Sequence, residues 1–267
     1  MSGIVSFRNA GRFGNFLYQS AMAFGYSKKY DIEFSVPNYT HNKIWSPIYL
    51  QHLVSPNHQQ GREDVLINEN WNDQRQYNEY EYKPEWKDKH VIFNGYNQSF
   101  KYWHFCRDEM LDAFGFPWKE NKGVASIHAR RGDYLQYPTK HPVITIEYLQ
   151  KAVEILHFKG IRKFLFHSDD IPWCMSCGLN LMFPDCEFEY SVGKNEVEDL
   201  ISMANCEHQI CSNSTLSTWA GELNRNPNKV VIVPAMSNWF GPDNKLTVAD
   251  MYRPEWVQIS YKPIYMQ

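Results

Sequence analysis

The sequence predicts an α/β protein built on mostly parallel sheets, and three observations lead there. In the second half, short apolar runs alternate with amphipathic stretches, the pattern of strands joined by crossover helices. The chain also opens on a strand-like run at residues 3–7, a glycine-containing loop and a long apolar-periodic segment. Finally, polar clusters follow the ends of three predicted strands, as expected where an open parallel sheet presents its ligand-binding edge.

With 267 residues, 43% hydrophobic and 21% charged, the chain can bury a sizeable core as one large domain or two smaller ones. A net charge of −3 gives no general attraction to nucleic acid or an anionic membrane, so any anion site must be local. Aromatics reach 16%, which suits sugar faces but serves core packing equally well. No apolar run approaches the roughly 18–20 residues of a membrane span, and no basic-then-apolar leader opens the chain. The expectation is a soluble cytoplasmic protein without an integral membrane segment. Its six cysteines (Cys106, Cys174, Cys177, Cys186, Cys206, Cys211) are then expected as reduced thiols. Cys174 and Cys177 have metal-ligand spacing, but no second pair matches it, so they are expected as spectators.

Along the N-terminal half, residues 3–7 read as a strand and residues 16–30 as a helix, with Leu17, Met22 and Phe24 among its apolar positions. The loop between them, Arg8-Asn9-Ala10-Gly11-Arg12-Phe13-Gly14-Asn15, is neither a P-loop nor a dinucleotide fingerprint. Its glycines, Arg12 and the amide of Asn15 still suit a phosphate or sugar at a helix N-terminus. Residues 31–36 read as a second strand. Residues 37–78 are weakly patterned, with short helices expected around residues 44–53, and are the natural place for acceptor specificity. Residues 79–86 are acidic and aromatic and expected to be exposed. Residues 91–96 form a strand and turn, residues 100–114 a helix, and residues 115–123 a linker marking a domain boundary.

In the second half, residues 124–127 are a buried strand, 145–158 an amphipathic helix with Ile146, Leu149, Val153 and Leu156 on one face, and 163–167 a strand. A helix is expected from residue 171, capped by Asp170 with Pro172 in its first turn. Strands follow at residues 186–190, 208–212 and 229–234, and residues 256–261 are β-like. Between them lie a helix at 195–205, opened by the capping pair Asn195 and Glu198, and a further helix ending near residue 223.

The centre of the chain is Ser126-Ile127-His128-Ala129-Arg130-Arg131-Gly132-Asp133-Tyr134. Two arginines at a strand end offer planar forks for phosphate oxygens, with a charge that does not titrate near neutral pH. Gly132 allows a sharp turn or a close approach. Ser168-Asp169-Asp170 and the hydroxyl cluster from Ser214 to Thr218 follow two other strand ends, so all three clusters face one edge of one sheet. Such a cleft suits a nucleotide diphosphate. A departing diphosphate needs a metal or fixed cations and amides. With no Asp-x-Asp pair and with Arg12, Arg130 and Arg131 at hand, a metal-free reaction without a cofactor is expected. For the acceptor proton, Asp133, His128 and Glu147 are the candidate bases.

Four segments then resemble the α-1,2-fucosyltransferases of glycosyltransferase family 11. Gly11-Arg12-Phe13-Gly14-Asn15-Phe16-Leu17-Tyr18-Gln19 is similar to that family's first segment, and also to the Gly-Arg-Phe-Gly-Asn of protein O-fucosyltransferases. His128-Ala129-Arg130-Arg131-Gly132-Asp133-Tyr134 resembles its His-x-Arg-Arg-Gly-Asp-Tyr signature. Phe166-His167-Ser168-Asp169-Asp170-Ile171-Pro172-Trp173-Cys174 resembles its Ser-Asp-Asp segment, and Asp199-Leu200-Ile201-Ser202-Met203 with Asn213-Ser214-Thr215-Leu216-Ser217-Thr218-Trp219 its closing one.

The resemblance implies a GT-B-like α/β fold of two facing Rossmann-like domains with mostly parallel sheets. Residues 1–120 would be the reduced acceptor-side domain and residues 121–267 the GDP-sugar-binding domain. It implies GDP-β-L-fucose as donor, an inverting transfer to a glycan hydroxyl, O2 of a β-galactoside in the family, and no obligatory metal. Arg131, Asp133 and Asn15 are the catalytic residues so implied. His128, Arg130 and Arg131 would hold the donor, with Ser214, Thr215 and Ser217 on its phosphates and Asp169 toward the nucleoside. Arg12, Gly14 and Asn15 would reach the diphosphate or fucose. Phe16 replaces the family's usual glutamine, and Thr218 stands where many members carry an aromatic residue. Another GDP-sugar, another fucosyl linkage, or a non-catalytic GDP- or glycan-binding relative are the competing readings.

Overall fold

The computed structural model describes residues 3–37, 50–54, 61–70, 77–244, 246 and 249–265. The chain divides into two compact units, Met1–Phe116 with Val248–Arg253, and Pro117–Thr247 with Pro254–Gln267. The first unit thus ends before the expected boundary at residue 120 and takes back a short C-terminal segment.

Among the described residues, unit 1 holds a four-stranded, wholly parallel sheet in the order β2-β1-β4-β3, with β1 at Ile4–Arg8, β2 at Glu33–Phe34, β3 at Asp64–Asn68 and β4 at His90–Asn94. Strand β3 was not expected; its Val65-Leu66-Ile67 run is short and only half-buried, so it stands out little from its polar flanks. Helix α1 spans Phe13–Tyr30 and starts earlier than the sequence suggests. Phe13 is 1% exposed and packs on Phe16 and Phe116, which draws the first turn into the core. Gly14 and Asn15 therefore lie in the helix. Nearly every residue from Phe13 to Ser27 is buried, because α1 has β1 and β2 on one side and residues 100–114 on the other. That last segment is two 3₁₀ turns followed by α2 (Arg107–Phe114) rather than one helix. In residues 79–86 the charged side chains are exposed but Tyr80, Tyr82 and Trp86 are half-buried, Tyr82 stacking on Tyr30 and Tyr80 packing on Phe93. Of the helices expected around residues 44–53, a 3₁₀ turn at Gln51–Leu53 is described, and residues 44–49 lie outside the described residues.

Unit 2 is a six-stranded, wholly parallel sheet in the order β10-β9-β8-β5-β6-β7. Its elements are β5 (Asn121–Ala129), α3 (Ile146–Phe158), β6 (Lys163–Ser168), α4 (Ile171–Ser176), α5 (Leu179–Met182), β7 (Glu187–Tyr190), α6 (Glu196–Asn205), β8 (Cys206–Ile210), α7 (Thr215–Leu223), β9 (Val231–Pro234) and β10 (Val257–Ile259). From β5 the chain winds outward through β6 and β7, then returns to the other side of β5 for β8, β9 and β10. This is the doubly wound order, and its switch point lies between β5 and β8.

Alternation along the strands separates the two faces. Ala125, Ile127, Phe164 and Phe166 join Leu149, Val153 and Leu156 of α3 in one core, each large side chain contributing roughly 1.5–3 kcal/mol by burial. On the opposite parity His167 bonds Ser202, and Gln209 bonds the Met203 carbonyl, both on α6. Helix α3 is capped by Thr145 and α6 by a complete capping box of Asn195 and Glu198. Among the described residues no helix is long and apolar enough to cross a membrane. All six cysteines are free thiols. The Cys174 thiol, buried on α4, is pushed up to about 12 by burial.

Candidate active site

The site in unit 2 is made by three strand ends that are neighbours in the sheet. β5 delivers Ala129 into the core and then turns through Arg130, Arg131 and Gly132 into a 3₁₀ turn, Asp133–Gln136. On the next strand, Asp169 folds back over this turn. One of its oxygens accepts from the backbone N–H of Arg131 at 2.8 Å and of Gly132 at 3.0 Å. The other pairs with Arg130 Nη1 at 2.7 Å. A Cβ on Gly132 would stand 2.7 Å from that oxygen, so glycine is needed here for close approach rather than for a left-handed backbone. Asp169, assigned toward the nucleoside by resemblance, here holds the arginine turn in shape.

The two arginines differ. Arg130 is enclosed by acids, with Nη2 on Asp133 at 2.6 Å and Nη1 on Asp169. Arg131 donates from Nε to Asp170 at 2.9 Å and lays its guanidinium 3.9 Å from the Trp173 ring centroid. Its two terminal nitrogens have no partner among the described residues, so a planar fork is left oriented and available. Asp170 also caps α4 by accepting from Trp173 N, as the sequence suggests.

Across the switch point, β8 ends at Ile210 and leaves Cys211, Ser212, Asn213 and Ser214 as the loop into α7. His128 is 6% exposed, with Nδ1 2.7 Å from Ser212 Oγ. Burial lowers its pKa to about 4, against a smaller opposing pull from Asp169, so it is neutral near pH 7 and adds no charge to the site. Tyr134 donates to the Asn213 carbonyl at 3.0 Å and ties the arginine turn to this loop. Ser214 is the N-cap of α7 without a side-chain cap bond, and it and Thr215 are half-exposed, leaving hydroxyls beside first-turn amides. Ser217 belongs elsewhere. It is 1% exposed and donates to the carbonyls of Ser212 and Ser214, so its hydroxyl holds the loop instead of facing a ligand. Thr218 is buried too, bonded to the Thr215 carbonyl.

Among the candidate bases, Glu147 is a surface residue paired with Lys151, and Asp133 is tied to Arg130. Glu196, in the first turn of α6, escaped the sequence reading. Burial raises its pKa to about 7 against the opposing charge of Arg130, and its Oε1 is enclosed without a hydrogen-bond partner among the described residues. Its one sequence signal is an acid opening a helix just after a strand end. Trp173 and Tyr134 were in view within their motifs, but nothing in their spacing revealed their contacts.

In unit 1, the loop after β1 carries Gly11 at φ +78° and exposed Arg12, and the first turn of α1 carries buried Gly14 and half-buried Asn15. Phe16, in place of an amide, is a core residue 5.2 Å from Phe7. The nearby amide is Gln19, wholly buried, which accepts from Ala10 N and donates to the Arg8 and Gly95 carbonyls.

The histidines of the site predict an acid sensitivity. His128 and His167 are cross-strand partners, and burial lowers His167 to about 3 as well. Because the unfolded chain binds more protons there, their contribution is complete above about pH 6.5 and is lost as pH falls toward 4 and 3. Glu196 acts oppositely: its contribution is present below about pH 4.5 and lost as pH rises through 7. His90 and His208, also lowered by burial, act in the same sense as these two histidines, and Asp199, raised by burial, in the sense of Glu196, so melting temperature should fall from pH 6.5 to 4.5, and less steeply in His167→Gln. An unchanged slope in that variant would remove His167 from the account.

A doubly wound parallel sheet that gathers an oriented guanidinium fork and an open helix N-terminus on one edge defines an α/β protein with the features by which such sheets take up anionic ligands. The chain belongs to glycosyl transferase family 11, whose sequence model matches residues 118–260. The O-antigen biosynthesis glycosyltransferase WbnK of Escherichia coli is 32% identical over 134 residues, covering 47% of this chain and 42% of that protein. An alpha-1,2-colitosyltransferase of Escherichia coli is 28% identical over 139 residues, covering 50% of this chain and 47% of that protein. These two matches thus take in under half of either relative. Galactoside alpha-(1,2)-fucosyltransferase 2 of Mus musculus aligns over 97% of this chain and 79% of its own length at 23% identity.

Proposed function

We propose that the protein is an inverting, metal-independent glycosyltransferase that moves L-fucose from GDP-β-L-fucose to a glycan hydroxyl, O2 of a β-galactoside being the favoured acceptor. The observation that carries this is the Arg131 fork, held by Asp170 and Trp173 at the end of β5, on the sheet edge where β8 also leads into α7. In this reading Arg131 takes the pyrophosphate oxygens and neutralises the leaving GDP as the glycosidic bond breaks. Ser214, Thr215 and the first amides of α7 supply further donors. Asp133 or Glu196 serves as base for the acceptor hydroxyl, Glu196 through its raised pKa.

GDP release from GDP-fucose, with and without lactose and in EDTA, tests this reading. Acceptor-stimulated release in EDTA is expected. Activity lost in EDTA and restored by Mg²⁺ or Mn²⁺ would overturn the metal-independent mechanism. A second reading is favoured by the colitosyltransferase relative: the same chemistry with a different deoxysugar on the nucleotide. Turnover with a colitosyl donor but not with GDP-fucose would select it.

A further inference from the structure

A side-chain amide has two ends of opposite chemistry, and which end meets a ligand is decided by what holds the other. In unit 1, Oδ1 of Asn15 accepts from Gln98 Nε2 at 2.7 Å. Nδ2 is then the end that lies over Gly11, where an added Cβ would stand 2.1 Å from it. No group among the described residues accepts from Nδ2. Gln98 is itself 3% exposed and sits on a braced turn. Glu69, 4% exposed, accepts from the backbone N–H of Tyr96 at 2.7 Å and of Asn97 at 3.0 Å. Tyr80 donates to Asn97 Oδ1 at 3.3 Å, and Asn97 adopts φ +49°, a conformation this bracing supports. On the other side Gln19 binds the loop through Ala10, Arg8 and Gly95. Two buried amides and a buried carboxylate thus converge on the placing of one half-exposed amide.

We infer that Gln98 is a positioning residue, which by donating to Oδ1 of Asn15 fixes that carboxamide with its N–H₂ end free as a hydrogen-bond donor to a substrate oxygen of the phosphate or sugar class. The ligand in this statement rests on the glycosyl-transfer reading; the orientation does not. Reversing the amide would set an acceptor where a donor is needed, turning an attraction to an anionic oxygen into a repulsion.

The near-isosteric Gln98→Glu variant tests it. Its carboxylate cannot donate, so Asn15 must turn Nδ2 inward, and kcat/KM should fall roughly 10- to 10²-fold, the loss of a hydrogen bond to a charged group. When the introduced carboxyl is protonated it donates again. The ratio of variant to wild-type activity should therefore rise as pH falls, whereas Gln98→Ala should show a loss that does not vary with pH. Glu69 and Tyr80 face the same turn in both proteins and cancel in that ratio. In an Asn15→Ala background, Gln98→Glu should cost little more. The Asn15 side-chain N–H₂ resonance, followed by selective ¹⁵N labelling, should shift with pH in Gln98→Glu and not in wild type. That readout needs no turnover. A moving resonance in a protein without transferase activity would sink the functional reading and keep the positioning; an indifferent resonance, or additive losses from Asn15→Ala and Gln98→Glu, would overturn the positioning.

Discussion

Replacing Arg131 with alanine is expected to lower kcat with GDP-fucose by about 10²-fold or more, the scale of removing a preorganised donor from a developing oxyanion. Arg131 is singled out from its neighbour by geometry. Arg130 spends both terminal nitrogens on Asp133 and Asp169, whereas among the described residues the Arg131 side chain is held through Nε and its flat face alone. Arg131→Lys should recover little of the loss. A single ammonium cannot bond Asp170, stack on Trp173 and still present two parallel donors. Arg130→Ala, by contrast, should show up in melting temperature as well as in rate, because it leaves Asp133 and Asp169 without their cation. Steady-state kinetics and GDP titration on the three variants separate these roles. Wild-type rates in both Arg131 variants would mean that the fork has no part in leaving-group stabilisation.

Asp169→Ala is expected to cost nearly as much activity, about 10²-fold, without Asp169 having to touch the substrate. Its carboxylate binds two consecutive backbone N–H groups and the Arg130 guanidinium, so removing it releases the turn that aims Arg131. The side chain is 26% exposed, and the loss of its charge-assisted bonds should lower stability by about 2–3 kcal/mol. Asp169→Asn separates the contributions. Its remaining carbonyl oxygen can still accept from Arg131 and Gly132, while its amide faces Arg130 unfavourably. An intermediate loss of activity with a smaller drop in melting temperature is therefore expected from paired kinetic and thermal measurements. Full activity and an unchanged melt in Asp169→Ala would show that the turn is held without the carboxylate.

Most of unit 2 was legible from local pattern. Apolar period marked the strands and α3, and the Asn195–Glu198 capping box marked the start of α6. The loop in unit 1 was read less well, because the start of α1 depends on Phe13 finding Phe116 across the core. Strand β3 was missed because a half-buried edge strand needs few apolar residues. The placing of the arginine, aspartate and hydroxyl clusters at one sheet edge was also legible, since each follows a strand and the strands are parallel.

What sequence alone determined, then, is the α/β class, the sheet edge where the polar clusters gather and the residue types found there, because periodicity, caps and strand-end position are properties of neighbouring residues. Which arginine keeps its terminal nitrogens unpaired among the described residues, that Asp169 shapes the turn and that Glu196 joins the site were decided only by tertiary structure. The contacts responsible link residues 39 positions apart for Arg131 and Asp170, and 38 and 37 apart for Asp169 with Arg131 and Gly132. Such pairs meet only once the strands are in register, and the direction of each side chain is then set by which groups burial leaves to be satisfied.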